Sequence, residues 1–300
     1  MTTARLMSFN IRFSVSDSNV NEKGETVDST MERRVPLIAN MIRTETIDVV
    51  GVQEAKECIY YGKTRTIPFE WKSRLEKALP EYGCVGAQTQ YHGEGGYIYY
   101  NKSKYTVIDN GHFFLVKAEG SDDASLTVKE TPGAGADRVC SWVLLRDNTT
   151  GAHFLFMDTH LSDAPAPIVE YQAGVIVDEI PKLTDRMQRD YGIGGCPVIL
   201  VGDMNSRPDS GTYRIYTSVL RDSLTIAETA SVDGSYCTSP NYNLLAEDAS
   251  YSRKGNRIDY VFVSDGIKVR SYDMIHTTTN RCRYGAFLSD HNALTVNIEF

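Results

Sequence analysis

The sequence predicts an α+β layered sandwich, and three observations predict it. Short apolar segments rich in Val, Ile, Leu and Phe recur along the chain and read as buried strands. Other segments carry apolar residues at helical spacing. The two kinds mix without the strict alternation of βαβ units, and no repeat, linker or low-complexity tract separates them. The 300 residues therefore read as one domain, 1–300.

Leu6 to Phe13 opens as a buried strand whose polar exit is Asn10, and the polar residues 14–30 read as a loop. Met31, Val35, Ile38 and Ile42 follow helical spacing, with Ser29 or Thr30 as caps and Pro36 tolerable only near the first turn. Ile47 to Val52 is a second strand that runs straight into Gln53-Glu54. Residues 55–68 read as a loop, and Trp71, Leu75, Ala78 and Leu79 mark a helix ended by Pro80. Tyr97–Asn101 and Tyr105–Ile108 read as strands joined at Lys102-Ser103; before them the glycines of His92-Gly-Glu-Gly-Gly96 let Glu94 approach a ligand closely.

Residues 118–137 form a long Gly-, Ser- and Asp-rich loop. Arg138 opens a strand to Leu145, Asp147 to Gly151 suggests a hairpin turn, and His153–Met157 runs into Asp158-Thr-His160-Leu. Ile168, Tyr171, Val175 and Ile176 give a third helix, with a kink expected at Pro181. Pro197-Val-Ile-Leu-Val-Gly-Asp-Met-Asn-Ser-Arg-Pro208 is a short buried strand that stops at Gly202. If the backbone there stays extended, Asp203 and Asn205 project to the same side. Tyr213, Tyr216 and Leu220 form a fourth helical face, and residues 231–256 are a second long polar segment. Arg257–Val263 is a strand with Asp259 near its start, Ile267–Tyr272 is expected to pair with it across Ser264-Asp-Gly266, and Leu288-Ser-Asp-His291 leads into a last strand from Ala293 to Phe300.

The bulk properties narrow the function. Hydrophobic content of 41% and charged content of 23% are those of a globular protein, and no apolar run approaches a bilayer span, so no stable membrane association is expected. The N-terminus enters a strand at once without a signal peptide, which favours the cytoplasm; a leader removed beforehand would leave no trace. Six scattered cysteines without a CxxC pair argue against a zinc site and a disulfide framework, and are simplest as free thiols. A net charge of −8 counts against an extended DNA footprint, but leaves room for a phosphate-bearing substrate neutralised locally by divalent cations.

Six times a short strand borders a group suited to metal or phosphate chemistry: Asn10, Glu54, His160, Asp203 with Asn205, Asp259, and Asp290 with His291. Each alone has a plain explanation as a solvated strand end or a hydrogen-bonded histidine. Together they are harder to dismiss, because strand ends on one rim of a sandwich converge. Hard oxygen donors such as Asn10, Glu54 and Asp290 suit Mg²⁺ or Mn²⁺. Phosphoester hydrolysis needs a Lewis acid, an oriented water and donors for phosphoryl oxygens; histidine and Arg138 are suitable donors, and Asp259 can fix a histidine tautomer.

Ser-Phe-Asn10, Val-Gln-Glu54, Asp-Thr-His160-Leu, Gly-Asp203-Met-Asn205, Arg-Ile-Asp259-Tyr and Ser-Asp290-His291, in this order, resemble the motifs of the endonuclease/exonuclease/phosphatase (DNase I-like) superfamily from about residue 4 to the C-terminus. The overall pattern is most similar to its compact, mostly uncharacterised bacterial members. The resemblance implies a four-layer α/β/β/α sandwich with the active site at one rim. It implies that Glu54 is the principal metal ligand with Asn10 and Asp290 nearby, and that His291, oriented by Asp259, binds or activates at the scissile phosphate. Asp203 and Asn205 would then handle the attacking water, and His160 would be the general-acid candidate with Glu94 as its carboxylate partner. Arg138 matches a substrate-contacting arginine. Whether Asp203 or His291 is the base stays open. Gly-Ser-Tyr236-Cys-Thr-Ser-Pro-Asn-Tyr242 departs from the bacterial pattern in carrying no histidine, which puts the substrate in doubt.

The expected activity is therefore a Mg²⁺-dependent (Mn²⁺ possible) phosphoesterase acting on a phosphodiester or phosphomonoester, with nucleic acid or a small phosphorylated molecule such as a sugar or inositol phosphate as substrate. The paired histidines favour a nuclease. The net charge and the merely local cluster of Arg253, Lys254, Arg257, Arg281 and Arg283 count against one. A non-catalytic binding protein on the same fold is the remote alternative. No obligate protein partner is implied.

Overall fold

The computed structural model describes residues 1–13, 19–20, 26–27, 30–61, 65–89, 95–115, 138–231, 237–240, 257–277, 282–284 and 287–300. In chain order the elements are β1 (Thr3–Asn10), β2 (Asn19–Val20), β3 (Thr26–Val27), α1 (Met31–Thr44), β4 (Val49–Gln53), β5 (Cys58–Tyr61), β6 (Arg65–Pro68) and α2 (Trp71–Ala78). There follow β7 (Tyr82–Gln88), β8 (Gly95–Asn101), β9 (Tyr105–Phe114), β10 (Val139–Asp147), β11 (His153–His160), α3 (Ala166–Tyr191) and β12 (Val198–Asp203). The chain closes with α4 (Gly211–Thr217), β13 (Arg221–Asp222), α5 (Ser223–Ile226), β14 (Thr229–Ser231), β15 (Asp259–Val263), β16 (Lys268–Ile275) and β17 (Ala293–Glu299).

Two mixed sheets carry the fold, in the orders β14-β16-β17-β1-β4-β8-β7 and β13-β15-β12-β11-β10-β9. Apolar side chains fill three separate layers. Leu6, Val49, Ile98, Val143, Phe154, Ile199, Val261 and Val296 lie between the sheets. Phe9, Val50, Val52 and Tyr99 pack outward against Ile38 and Ile42 of α1 and Trp71 and Leu75 of α2. Trp142, Leu155, Met157 and Leu200 pack outward against Val169, Ile176 and Leu183 of α3 and Tyr216 of α4. Because residues on a strand alternate faces, a strand packed on both sides must be apolar throughout, which is why β4 and β12 read as unbroken apolar runs. Three layers of packing between two sheets and two helical faces make the α+β, DNase I-like α/β/β/α sandwich that the sequence predicts.

At one end of the sandwich the chain ends pair with each other: Thr2 N donates to Phe300 O at 2.9 Å, and Phe300 N donates to Thr2 O at 3.1 Å. Thr2 Oγ1 also lies 2.6 Å from Thr150 Oγ1 in the turn between β10 and β11. No helix among the described residues is long and apolar enough to cross a membrane, and all six cysteines are free.

Several expectations need correction. Residues 55–68 are not a loop but hold the antiparallel pair β5–β6, and within 14–30 two short strands, β2 and β3, pair antiparallel. The edge strand β7 went unread, because Gly83, Gly86 and its half-buried positions break the apolar pattern. Ile267–Tyr272 does not pair with Arg257–Val263. Both edges of β15 are taken, by β12 and β13, so β16 crosses to the other sheet and pairs with β17 and β14. Thr30 stands at the start of α1 without a side-chain cap, and Pro36 and Pro181 are accommodated inside continuous helices.

Candidate active site

Strand direction gathers the polar strand ends. Asn10 ends β1, Glu54 follows β4, His160 ends β11 and Asp203 ends β12; on the antiparallel strands Arg138 precedes β10, Asp259 opens β15, and Asp290 and His291 precede β17. All of these termini lie on the rim opposite the paired chain ends. The register sets His160 beside Asp203, and Asp203 beside Asp259, in one row across three strands. Glu54 is half-buried, as is Asn205; the others are buried.

Asp203 is the meeting point. Its Oδ2 accepts from Asn10 Nδ2 at 3.0 Å and lies 3.5 Å from His160 Nε2 and 3.7 Å from His291 Nε2. Its Oδ1 accepts from the Asn205 backbone N–H at 2.9 Å. The Asn205 amide donates to Leu161 O at 2.8 Å, which fixes its orientation, and the same nitrogen lies 3.1 Å from His160 Nε2, making that ring nitrogen the acceptor. Gly202 permits this crowding. Its φ is +151°, and a Cβ there would fall 2.0 Å from the Thr159 carbonyl oxygen.

His291 is held from several sides. Nδ1 is 2.9 Å from Asp259 Oδ2, Nε2 is 3.4 Å from Ser239 Oγ, and the backbone N–H donates to Ser289 Oγ at 3.1 Å. Thr277 Oγ1 donates to the His291 carbonyl. Thr238 Oγ1 in turn accepts from the Asp259 N–H at 3.1 Å. Burial works against a charged ring, but the carboxylates of Asp259 and Asp203, with Asp290 behind them, outweigh it and push His291 up to about 10. Among the described residues, Asp203, Asp259 and His291 also form the group whose acidic and imidazole ligand atoms all lie within 4.8 Å of one another.

The expected ligands Asn10, Glu54 and Asp290 lie outside that group and meet it at Asn10, whose amide also donates to Glu54 Oε1 at 3.0 Å. Glu54 Oε2 accepts from the Phe13 N–H at 3.0 Å. Asp290 Oδ2 pairs with the Arg12 guanidinium. Ser289 Oγ donates to Asn10 O at 2.6 Å, tying the two turns together. A carboxylate-and-amide donor set of this kind fits a hard divalent cation rather than a soft one. Three non-glycine residues here take left-handed backbone angles, Arg12 (φ 52°), Glu54 (φ 62°) and Asn205 (φ 44°), a strain that persists where surrounding bonds fix the geometry.

Glu94, the expected partner of His160, lies outside the described residues, as do Tyr236, Tyr242, Tyr251, Arg253, Lys254 and Arg281 and nearly all of the two long segments 118–137 and 231–256. Arg138 is buried at the start of β10. The sequence reading missed Arg12 and Arg34. Arg34 is fully buried on α1 and donates to Leu288 O at 2.8 Å, to Arg12 O at 3.1 Å and to Ile11 O. Its signal was present: Arg34 falls on the apolar stripe of Met31, Val35 and Ile38, where a charge has to be paired.

Comparison with known proteins agrees with this architecture. Residues 166–291 match the sequence profile of the Endonuclease/Exonuclease/phosphatase family. A protein of that description from Bacteroides vulgatus superposes with TM-score 0.76 at 24% identity, covering 100% of both chains. A mannosyl-6-phosphatase from Bacteroides thetaiotaomicron gives 0.72 at 23%, covering 99% of this chain and 100% of that one. The catalytic domain of human Nocturnin with bound sulfate gives 0.62 at 17%, covering 99% and 94%. No curated protein matches the chain in sequence. The segment 166–291 thus carries the sequence pattern of the Endonuclease/Exonuclease/phosphatase family, and the chain from end to end has the same fold as these solved structures.

Proposed function

We propose that the protein is a divalent-cation-dependent phosphoesterase that hydrolyses its ester by attack of water, with residues 1–300 acting as one catalytic unit. The observation that carries this reading is the single carboxylate oxygen, Asp203 Oδ2, set within 3.0 to 3.7 Å of Asn10, His160 and His291. A bound Mg²⁺ or Mn²⁺, held by Glu54, Asn10 and Asp290, would supply Lewis acidity toward a phosphoryl oxygen.

The remaining roles follow from proton positions. His291, whose proton affinity is raised by the carboxylates of Asp259 and Asp203 against the effect of burial, is better suited to donate than to take a water proton. It therefore steadies negative charge on the phosphoryl oxygens, and Asp259 holds it in place. Asp203, an acceptor on the same row, takes the water proton, with Asn205 orienting the nucleophile. His160 Nε2, an acceptor 3.5 Å from Asp203 Oδ2, can receive that proton and pass it to the leaving oxygen. This arrangement supports Asp203 rather than His291 as the base.

Two findings support a small phosphorylated molecule over a nucleic acid: the net charge of −8, and a mannosyl-6-phosphatase among the structural neighbours. The test is a panel of sugar phosphates, inositol phosphates, bis-p-nitrophenyl phosphate, RNA and single- and double-stranded DNA, with and without EDTA. Asp203→Asn and His291→Ala should each lower kcat by about two to four orders of magnitude, the range for a lost acid–base or oxyanion-type group. Full activity in either variant, or in EDTA, would sink the mechanism. Oligonucleotide cleavage that collapses with added salt would shift the substrate to nucleic acid.

A further inference from the structure

Arg12 stands on an oxygen that the proposed cation also needs. Its guanidinium pairs with Asp290 Oδ2, while the other carboxylate oxygen of Asp290 faces Ser289 Oγ at 3.4 Å. The backbone of Arg12 is fixed: its N–H donates to Asn10 Oδ1 at 2.9 Å and its carbonyl accepts from Arg34 at 3.1 Å. The side chain is less confined, 29% exposed against 9% for Asp290. Among the described residues near this corner of the rim, the other cations are enclosed: Arg34 and Arg138 are buried, and Lys56 is buried over the Phe13 ring at 3.8 Å. Arg12 alone of these four combines a pinned backbone with a head that reaches solvent.

We infer that Arg12 is the resident counter-ion of Asp290, that a divalent cation displaces it from Oδ2, and that the displaced guanidinium then binds the phosphoryl group of the substrate. The inference rests on the proposed cation site for its first half and on the phosphoesterase reading for its second. Charge supplies the reason. A cation entering beside Glu54 and Asp290 neutralises the carboxylate that Arg12 had balanced, leaving the guanidinium with surplus positive charge at the mouth of the site. A phosphoryl group is the matching anion, and the planar fork of arginine can bind two of its oxygens at once, which a lysine cannot. The exchange moves the side chain of Arg12 and leaves its backbone held by Asn10 and Arg34.

The experiment is Mn²⁺ titration of the EDTA-treated full chain by calorimetry, without substrate, followed by inorganic phosphate titration of the Mn²⁺-loaded protein. Arg12→Gln should tighten Mn²⁺ binding about three- to tenfold, the size of one partly screened charge pair. It should tighten nothing in an Asp290→Asn background, since the competition is for that carboxylate. Arg12→Gln should also weaken phosphate binding, and Arg12→Lys should restore it only in part. Circular dichroism and urea unfolding check that each variant is folded. Unchanged or weaker Mn²⁺ affinity in Arg12→Gln, or undiminished phosphate affinity, overturns the inference. These are binding readouts, so an empty hydrolysis panel would remove the proposed activity and leave this result standing or falling by itself.

Discussion

Arg34 shows how a buried residue behind the rim can set its geometry. Its guanidinium, fully buried and 4.7 Å from the Trp71 ring, bonds carbonyls in two turns: Ile11 and Arg12 after β1, and Leu288 before β17. Those turns carry Asn10 and Asp290. Trp71 Nε1 adds a 2.8 Å bond to Phe13 O, so α1 and α2 both brace the first turn. Replacing Arg34 by Met strands those carbonyls and should cost roughly 2–4 kcal/mol in urea unfolding, with weaker Mn²⁺ binding in the protein that remains folded. A loss below about 0.5 kcal/mol would mean that the turns hold themselves. The rim residues were legible in the sequence because each follows or precedes an apolar run. The contact between Asp259 and His291, across 32 residues and a change of sheet, was implied only by the resemblance of the motifs and not by pattern or spacing.

Among the elements, β4 and β11 are joined by an unusual bridge. Asp158, fully buried on β11, accepts from Gln53 Nε2 of β4 at 2.6 Å, one residue before Glu54 and two before His160. Burial raises the Asp158 carboxyl well above its ordinary value of 3.8, more than the Gln53 bond lowers it. The folded state therefore holds this proton where the unfolded chain has released it, and stability falls as pH rises above about 4 toward the folded-state value. Asp158→Asn removes the titration. Its stability relative to the natural protein should grow as pH rises above about 4, by up to about 1.4 kcal/mol for each pH unit below the raised folded-state value. A difference that stays constant with pH would show that the acid is ionised in both states. Gly51 belongs to the same bridge, since a Cβ there would meet Val201 at 2.4 Å and Asp158 at 2.6 Å. The misread pairing of β15 with β16 has a related cause. Ser264-Asp-Gly266, with Gly266 at φ 88°, has the chemistry of a hairpin turn, but local turn chemistry cannot report that both edges of β15 are already occupied.

For the whole molecule, the layered architecture was legible because double-faced burial writes itself as unbroken apolar strands. The identity of a substrate was not, because no motif or periodicity in the sequence reports it. The pairing of Thr2 with Phe300 has a practical consequence. Where two ends are hydrogen-bonded to each other, the position of the break in the chain is arbitrary to the fold, and the seam can be moved. Splicing 300 to 1 through a short Gly-Ser linker and reopening the chain in the Asp147–Gly151 turn should give a circular permutant with the parental unfolding midpoint and Mn²⁺ affinity. An insoluble permutant, or one that no longer binds Mn²⁺, would show that the order of synthesis matters to this fold. If it folds, either version can be tethered to a surface by that end of the sandwich, with the rim that carries Asp203 facing the solution.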